Sequence, residues 1–261
     1  MEQPTMIFRK DPDLTGKEHY QQVYQRDLND QADWLRRGAR EKVNSIERLL
    51  QSNGIRPKSI LELGCGTGAV IMECQRRGLA ERYAAVDYSQ EAIQYLREHS
   101  SGIQTIAADI TAAPPLSQQC DVLILSHVIE HLEHPDKFLH SVRGLKFSYL
   151  VAEVPLEDLP AGQLKALFSD RTRNTAGHVQ FFTGESFRRL LRASGFVVLN
   201  TRRYVPVLDL DTIGLVCRRN GWGLIRQIRM IVTSRCLLPI LSPLWSKVYY
   251  AHYAALCQKA E

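Results

Sequence analysis

The sequence predicts an α/β fold, with a mostly parallel sheet covered by helices on both faces. Three observations point there. Short apolar runs alternate with amphipathic stretches at close spacing, the pattern of strand–helix–strand units. The run "CDVLILS" (120–126) is nearly all apolar, as suits a strand buried on both faces. "SILELGCGTGAV" (59–70) closes an apolar run with Gly64, Gly66 and Gly68, where a chain must turn with positive φ and approach a ligand closely.

The elements follow in order. Residues 17–50 read as one or two amphipathic helices, with Val43, Ile46, Leu49 and Leu50 at helical spacing. Asn53-Gly54 stops the second, with Pro57 just beyond. A first strand, 59–64, leads through the glycine turn into a helix. "YAAVDYS" (83–89) is a second strand, and Ser89 is placed to cap the helix that follows. "IQTIAADI" (103–110) is a third strand, and Pro114-Pro115 marks a loop. After the fourth strand (120–126) come a helix at 134–145 and a fifth strand at 146–155. Thr183 caps and Gly195 stops another helix before a sixth strand, 196–204. Residues 248–260 read as a closing strand. Residues 206–247 are then an insertion between the last two strands.

The totals narrow the function. The formal net charge of +5 is local: six of the 33 basic residues, and no acid, fall between Thr212 and Lys247 (Arg218, Arg219, Arg226, Arg229, Arg235, Lys247). The other 27 nearly balance the 28 acids, which disfavours nucleic acid as partner. Six scattered cysteines with no CxxC argue against a disulfide framework or zinc knuckle and fit a reducing cytoplasm. The N-terminus has no apolar signal core, and no run of eighteen apolar residues predicts a membrane span. A cytoplasmic location is expected.

In a doubly wound sheet a ligand sits at the carboxyl ends of the strands. Gly64, Gly66 and Gly68 fall there, with Asp87 ending the second strand and Asp109 the third. A carboxylate at 87 suits two ribose hydroxyls, and one at 109 suits an adenine amino group. G64-x-G66-x-x-A69 also satisfies the loose dinucleotide fingerprint, so an NAD-dependent oxidoreductase is the alternative. Glu62 discriminates: a carboxylate beside the loop repels a pyrophosphate and attracts a sulfonium with a free ammonium.

Taken together, E62-x-G64-x-G66-x-G68, Asp87, "AADI" and "SHVIEHLEHP" (126–135) resemble the class I S-adenosylmethionine-dependent methyltransferases, over about residues 40–205. The closest resemblance is to the small-molecule, quinone-type O-methyltransferase branch. It implies a Rossmann-like seven-stranded sheet in the order 3-2-1-4-5-7-6 with strand seven antiparallel. It divides the chain into an N-terminal helical cap (1–54), a core (55–205 and 248–261) and a basic amphipathic lid (206–247). It also implies S-adenosylmethionine as cofactor, held by Glu62, Gly64, Cys65, Gly66, Gly68, Asp87, Tyr88, Asp109, Ile110 and Ser126. Tyr20 and Tyr24 are candidates for closing over the methionine tail.

Methyl transfer needs alignment and, for a protonated acceptor, a base. His127, His131 and His178 are the catalytic candidates, with loop support as the competing role. The alternative is a divalent metal held by His127, Glu130, His131 and His178, which resembles an ExxEH…H metal motif with His127 in place of its first Glu. No metal is the favoured reading. Arg171 and Arg173 suit an acidic group on the acceptor, and Phe181 and Phe182 face either substrate or core. The insertion places Leu224, Ile225, Ile228, Ile231 and Val232 on one helical stripe and Arg226 and Arg229 on another. A lid, peripheral membrane contact through 212–247 and a homodimer face are its three readings. The expected function is methylation of a small-molecule acceptor, oxygen favoured over nitrogen. Transfer or cyclisation of the cofactor's aminobutyrate arm is a further alternative.

Overall fold

The computed structural model describes residues 16–112, 119–171, 174, 176–219 and 221–260. Seven strands form one sheet: β1 (Ser59–Leu63), β2 (Arg82–Asp87), β3 (Ile103–Ala107), β4 (Cys120–Ser126), β5 (Phe147–Leu156), β6 (Phe196–Tyr204) and β7 (Ala251–Lys259). Their order is β3-β2-β1-β4-β5-β7-β6, and β7 runs antiparallel to both neighbours. Order and polarity are as the resemblance implied.

Period-two alternation sorts the side chains to two cores. Leu123 and Leu125 of β4 and Leu150, Ala152 and Val154 of β5 face one core, which α4 (Pro135–Arg143) and α6 (Gly184–Ala193) close with Phe138, Leu139, Phe187 and Leu191. Val122, Ile124 and Val151 face the other. That core is closed by α1 (Gly16–Ser52), α2 (Ala69–Arg76) and α3 (Gln90–His99) through Val43, Ile46, Leu49, Ile71, Ile93 and Leu96. Each Leu, Ile, Val or Phe among them contributes about 1.5–3 kcal/mol by burial.

The helix boundaries obey local chemistry. Ser89 accepts from the Ala92 N–H, and Thr183 and Ser186 form a reciprocal cap on α6. Gly195 ends α6 at φ +81°. The N-terminal run is two helices joined at Asp27, whose φ/ψ of −139°/40° is not helical. Helix α5 (Pro160–Ala166) is not among the elements expected from the sequence, although Pro160 in its first turn suits a helix start.

The insertion is helical: α7 (Leu210–Arg219), α8 (Leu224–Val232), a wide turn at Thr233–Leu237 and α9 (Leu238–Val248). Its apolar stripe faces outward. Leu224, Ile225 and Ile228 on α8 and Ile240 and Leu244 on α9 are exposed by half or more. No single helix among the described residues is long and apolar enough to cross a membrane, and the segments 224–237 and 240–248 meet at 101°. Residues 1–15 of the expected cap, the Pro114-Pro115 loop and Arg173 lie outside the described residues.

Candidate active site

One cavity of about 1220 Å³ runs along the carboxyl ends of β1, β2 and β4. Its first half is built by backbone. Gly64, Gly66 and Gly68 have φ of 70°, 53° and 80°, the left-handed region that side chains resist. The N–H groups of Gly64 and Cys65 both donate to the Val86 carbonyl, pinning the turn to β2. A Cβ on Gly66 would lie 2.5 Å from the Tyr24 hydroxyl, and one on Gly64 would lie 2.6 Å from Val128 Cγ2. Gly64, Cys65 and Gly66 line the cavity. Gly68 does not: it turns towards α3, where a Cβ would strike Leu96 at 2.4 Å. Its expected cofactor contact is replaced by a packing role.

Glu62 lines the cavity yet is only 2% exposed. Its Oε2 accepts from the Ile71 N–H at 3.0 Å. Burial pushes its carboxyl up to about 8, against the pull of Lys42 and that N–H. Asp87 accepts from the N–H groups of Gly66 (2.7 Å) and Ser89 (3.0 Å), and burial raises it. Asp109 is not free for an adenine amino group as expected. Lys17 donates to its Oδ2 at 2.6 Å and Thr111 to its Oδ1, and although burial opposes them they hold it down at about 2. The Lys17 ammonium lies 5.2 Å from the Tyr88 ring centroid. Tyr88, Ile110 and Ser126 line the same cavity, and the Ser126 hydroxyl is buried without a partner.

The second half is built by side chains. His127 follows β4 and has φ 57°, the one non-glycine with positive φ among the described residues. Its Nδ1 lies 3.0 Å from Glu130 Oε1, close but poorly directed, so neither Glu130 oxygen has an aligned donor. Its Nε2 lies 3.2 Å from Glu153 Oε1 and 3.2 Å from His252 Nδ1. Burial and Lys42 oppose protonation of His127, but the Glu130 and Glu153 carboxylates outweigh them and raise its pKa. His131 Nδ1 sits 3.2 Å from the Gly177 carbonyl, and Nε2 faces the Tyr20 hydroxyl at 3.5 Å. Burial pushes His131 down to about 4 in spite of Glu130, leaving it neutral at pH 7. His178 pairs with Glu157 at 2.6 Å.

The four donors expected to hold a metal together are therefore divided. Ligand atoms of Glu130, His131 and His178 gather within 4.8 Å, while His127 joins a separate group with Glu153 and His252. The left-handed turn at His127 swings its ring towards β5 and β7. Arg171 is absent from the cavity wall: it binds Asp158 and the Glu157 carbonyl and covers the Phe181 ring at 4.1 Å. Phe182 is core, packed edge-on against Phe187.

The family profile for a methyltransferase domain matches residues 24–201, most of the chain, including Glu62, the glycine turn, Asp87 and Asp109. The chain belongs to this methyltransferase family. It is 27% identical over 104 residues to a ubiquinone biosynthesis O-methyltransferase of Glaesserella parasuis, covering 36% of this chain and 43% of that protein. It is 28% identical over 94 residues to a malonyl-[acyl-carrier protein] O-methyltransferase of Halalkalibacterium halodurans, covering 34% and 35%. The matched stretch is thus less than half the length of either relative. The magnesium protoporphyrin IX methyltransferase of Synechocystis PCC 6803 with bound SAH shares the fold, with a TM-score of 0.55 at 14% identity over 85% of this chain and 84% of that one.

This methyltransferase-family domain contains site residues that no motif in the sequence marks. Glu153 is an acid inside the apolar strand β5, the same signal that singled out Glu62. His252 stands on β7 beside Tyr204 of β6, and Tyr250 binds its Nε2 at 3.0 Å. Lys42 reaches the cavity from α1, its pKa lowered by burial against the pull of Glu153, Glu130 and Glu62. Lys17 pairs with Asp109 just past the end of β3. None of these four had a local motif.

Proposed function

We propose that this domain methylates an oxygen of a small, largely apolar acceptor. The observation that carries the reading is one cavity with a buried carboxylate and glycine turn at one end and a neutral, accessible imidazole at the other. S-adenosylmethionine supplies an electrophilic methyl on a sulfonium. Glu62 pairs with its ammonium, the 64–66 turn lies along its tail, and Asp87 accepts from ribose hydroxyls. The orphaned Ser126 hydroxyl and the glycine cradle fit such a ligand. Asp109 takes the adenine amino group once Lys17 moves aside, with Tyr88 and Ile110 against the ring. Tyr20 and Tyr24 cover the tail from α1.

Among the three candidate histidines, His131 is the base. With Nδ1–H given to the Gly177 carbonyl, Nε2 is an acceptor that faces the Tyr20 hydroxyl at 3.5 Å; an acceptor hydroxyl takes that place and gives up its proton to Nε2. His178, tied to Glu157, positions the wall beside it. The names of two relatives, both O-methyltransferases, support oxygen over nitrogen. Beyond His131 the cavity wall is apolar, with Trp34, Leu35, Val205, Leu238 and Trp245.

The outward stripe of α8 and α9 supports delivery of such an acceptor from an anionic lipid surface. Exposed Arg226, Arg229, Arg235 and Lys247 flank the exposed apolar residues, and no acid interrupts them. A 101° bend suits two short helices lying in an interface. Leu164, Leu167 and Phe168 at the end of α5 add to the same exposed apolar surface.

Incubation with methyl-labelled S-adenosylmethionine and a panel of apolar phenols tests the chemistry. Label in a solvent-extractable ether supports the reading; 5′-methylthioadenosine as the adenosyl product would assign arm transfer instead. Cosedimentation with phosphatidylglycerol vesicles, lost in Arg226→Glu/Arg229→Glu, tests the surface. A dimer that buries the α8–α9 face, or equal binding to phosphatidylcholine, would overturn the lipid assignment.

A further inference from the structure

We propose that His127, Glu153 and His252 bind one divalent ion of the zinc class, a site that lies beyond the methyl-transfer reading and does not depend on it. Three ligand atoms converge at the ends of β4, β5 and β7. The distances are 3.2 Å from His127 Nε2 to Glu153 Oε1, 3.2 Å from His127 Nε2 to His252 Nδ1, and 3.3 Å from Glu153 Oε1 to His252 Nδ1. They form a nearly equilateral triangle. Tetrahedral zinc, with metal–ligand bonds of about 2.0–2.2 Å, spaces its ligand atoms roughly 3.3–3.6 Å apart. Two imidazoles and a carboxylate suit zinc, cobalt or ferrous iron.

The outer contacts are those of a metal site. A metal-bound imidazole usually gives its other ring nitrogen to a carboxylate or hydroxyl, which fixes its tautomer and aim. His252 presents Nε2 to the Tyr250 hydroxyl at 3.0 Å, while His127 Nδ1 has Glu130 Oε1 3.0 Å away but out of line with it. The Tyr204 hydroxyl donates to Glu153 Oε1 at 2.8 Å. Glu153 Oε2 is buried with no partner, although Glu153 is 1% exposed. An unpaired carboxylate oxygen in such a place is costly unless a cation compensates it. His127 and His252 line the cavity, so an ion there would keep one position open towards the acceptor end.

The neighbouring group of Glu130, His131 and His178 is less suited. Its outer contacts at Nδ1 are of the same kind, but the His131 Nε2 they leave for an ion already faces the Tyr20 hydroxyl at 3.5 Å. The two groups make opposite predictions for single substitutions.

The test is a cobalt titration of the chelator-stripped chain in a Cys236→Ser background, which removes the one exposed thiol among the described residues. The expected result is a saturable visible d–d absorption at one equivalent, displaced by zinc. Glu153→Gln and His252→Gln should abolish it while retaining S-adenosylhomocysteine binding, which checks folding. Tyr250→Phe, which removes only an outer contact, should weaken cobalt binding about 10–100-fold and decides the matter if the ligand variants fail to fold. No saturable absorption in the parent chain overturns the proposal. So does loss in His178→Gln with no effect of His252→Gln, or an unchanged affinity in Tyr250→Phe.

Discussion

At the β1–β2–β3 end of the cavity the functional groups are fixed by backbone, and at the β4–β5–β7 end by side chains. The first end consists of a left-handed turn, N–H groups given to a β2 carbonyl, and carboxylates accepting from main-chain donors. The second consists of imidazoles and carboxylates holding one another, from residues 26, 99 and 125 positions apart. The difference teaches that local chain geometry fixes the first end, whereas the second exists only once distant residues are packed together. The proposed function puts cofactor binding at the first end and the proton step at the second.

The comparison breaks most visibly at His131. His131→Gln should lower kcat about 10²–10⁴-fold, with S-adenosylhomocysteine affinity unchanged by calorimetry. A parallel loss of affinity would merge the two ends. Next comes Glu62→Gln, which should weaken S-adenosylhomocysteine about 10–100-fold, the worth of a hydrogen bond to a charged group. The pH dependence has a definite sign. Glu62 in the free protein is protonated below about 8 and must ionise to pair with an ammonium, so affinity should fall as pH drops below 8. That dependence should vanish in Glu62→Gln.

How far each end was legible in the sequence follows from the same contrast. Glu62, Gly64 and Gly66 form a continuous motif whose conformation is local, so their placement was readable. Gly68 was misassigned because its left-handed φ serves packing against Leu96, and φ alone does not say which neighbour the bare face meets. The sheet order came through resemblance, while the strands themselves were visible as apolar runs. Glu153 and His252 were not legible as partners, since only the antiparallel insertion of β7 beside β5 brings them together. The stripe on α8 was read correctly as amphipathic, but its direction is a tertiary fact. Asp109 was placed correctly at the end of β3, yet nothing near it announces Lys17, 92 residues away.

Smaller effects sharpen the picture. Lys17→Ala should free Asp109 and tighten S-adenosylhomocysteine by up to about fivefold, since an exposed ion pair contributes about 0–1 kcal/mol. Weaker binding would make Lys17 a ligand contact and not an occluding group. Away from the cavity, hydrogen bonds from Arg76 and Arg77 hold Glu73 at about 2. Its unfolded value is about 4.3, so the pair stabilises the fold above that pH and loses its effect as pH falls towards 2. Glu73→Gln should lower Tm by a few degrees at most at pH 7, with the gap closing between about pH 4 and pH 2.

The most direct measurement is a pair of calorimetric titrations of the intact chain at pH 8, one with S-adenosylhomocysteine and one with NAD. A carboxylate buried beside the glycine turn predicts saturable one-to-one binding of the first and no heat of binding from the second. Binding of NAD with no response to S-adenosylhomocysteine would contradict the account.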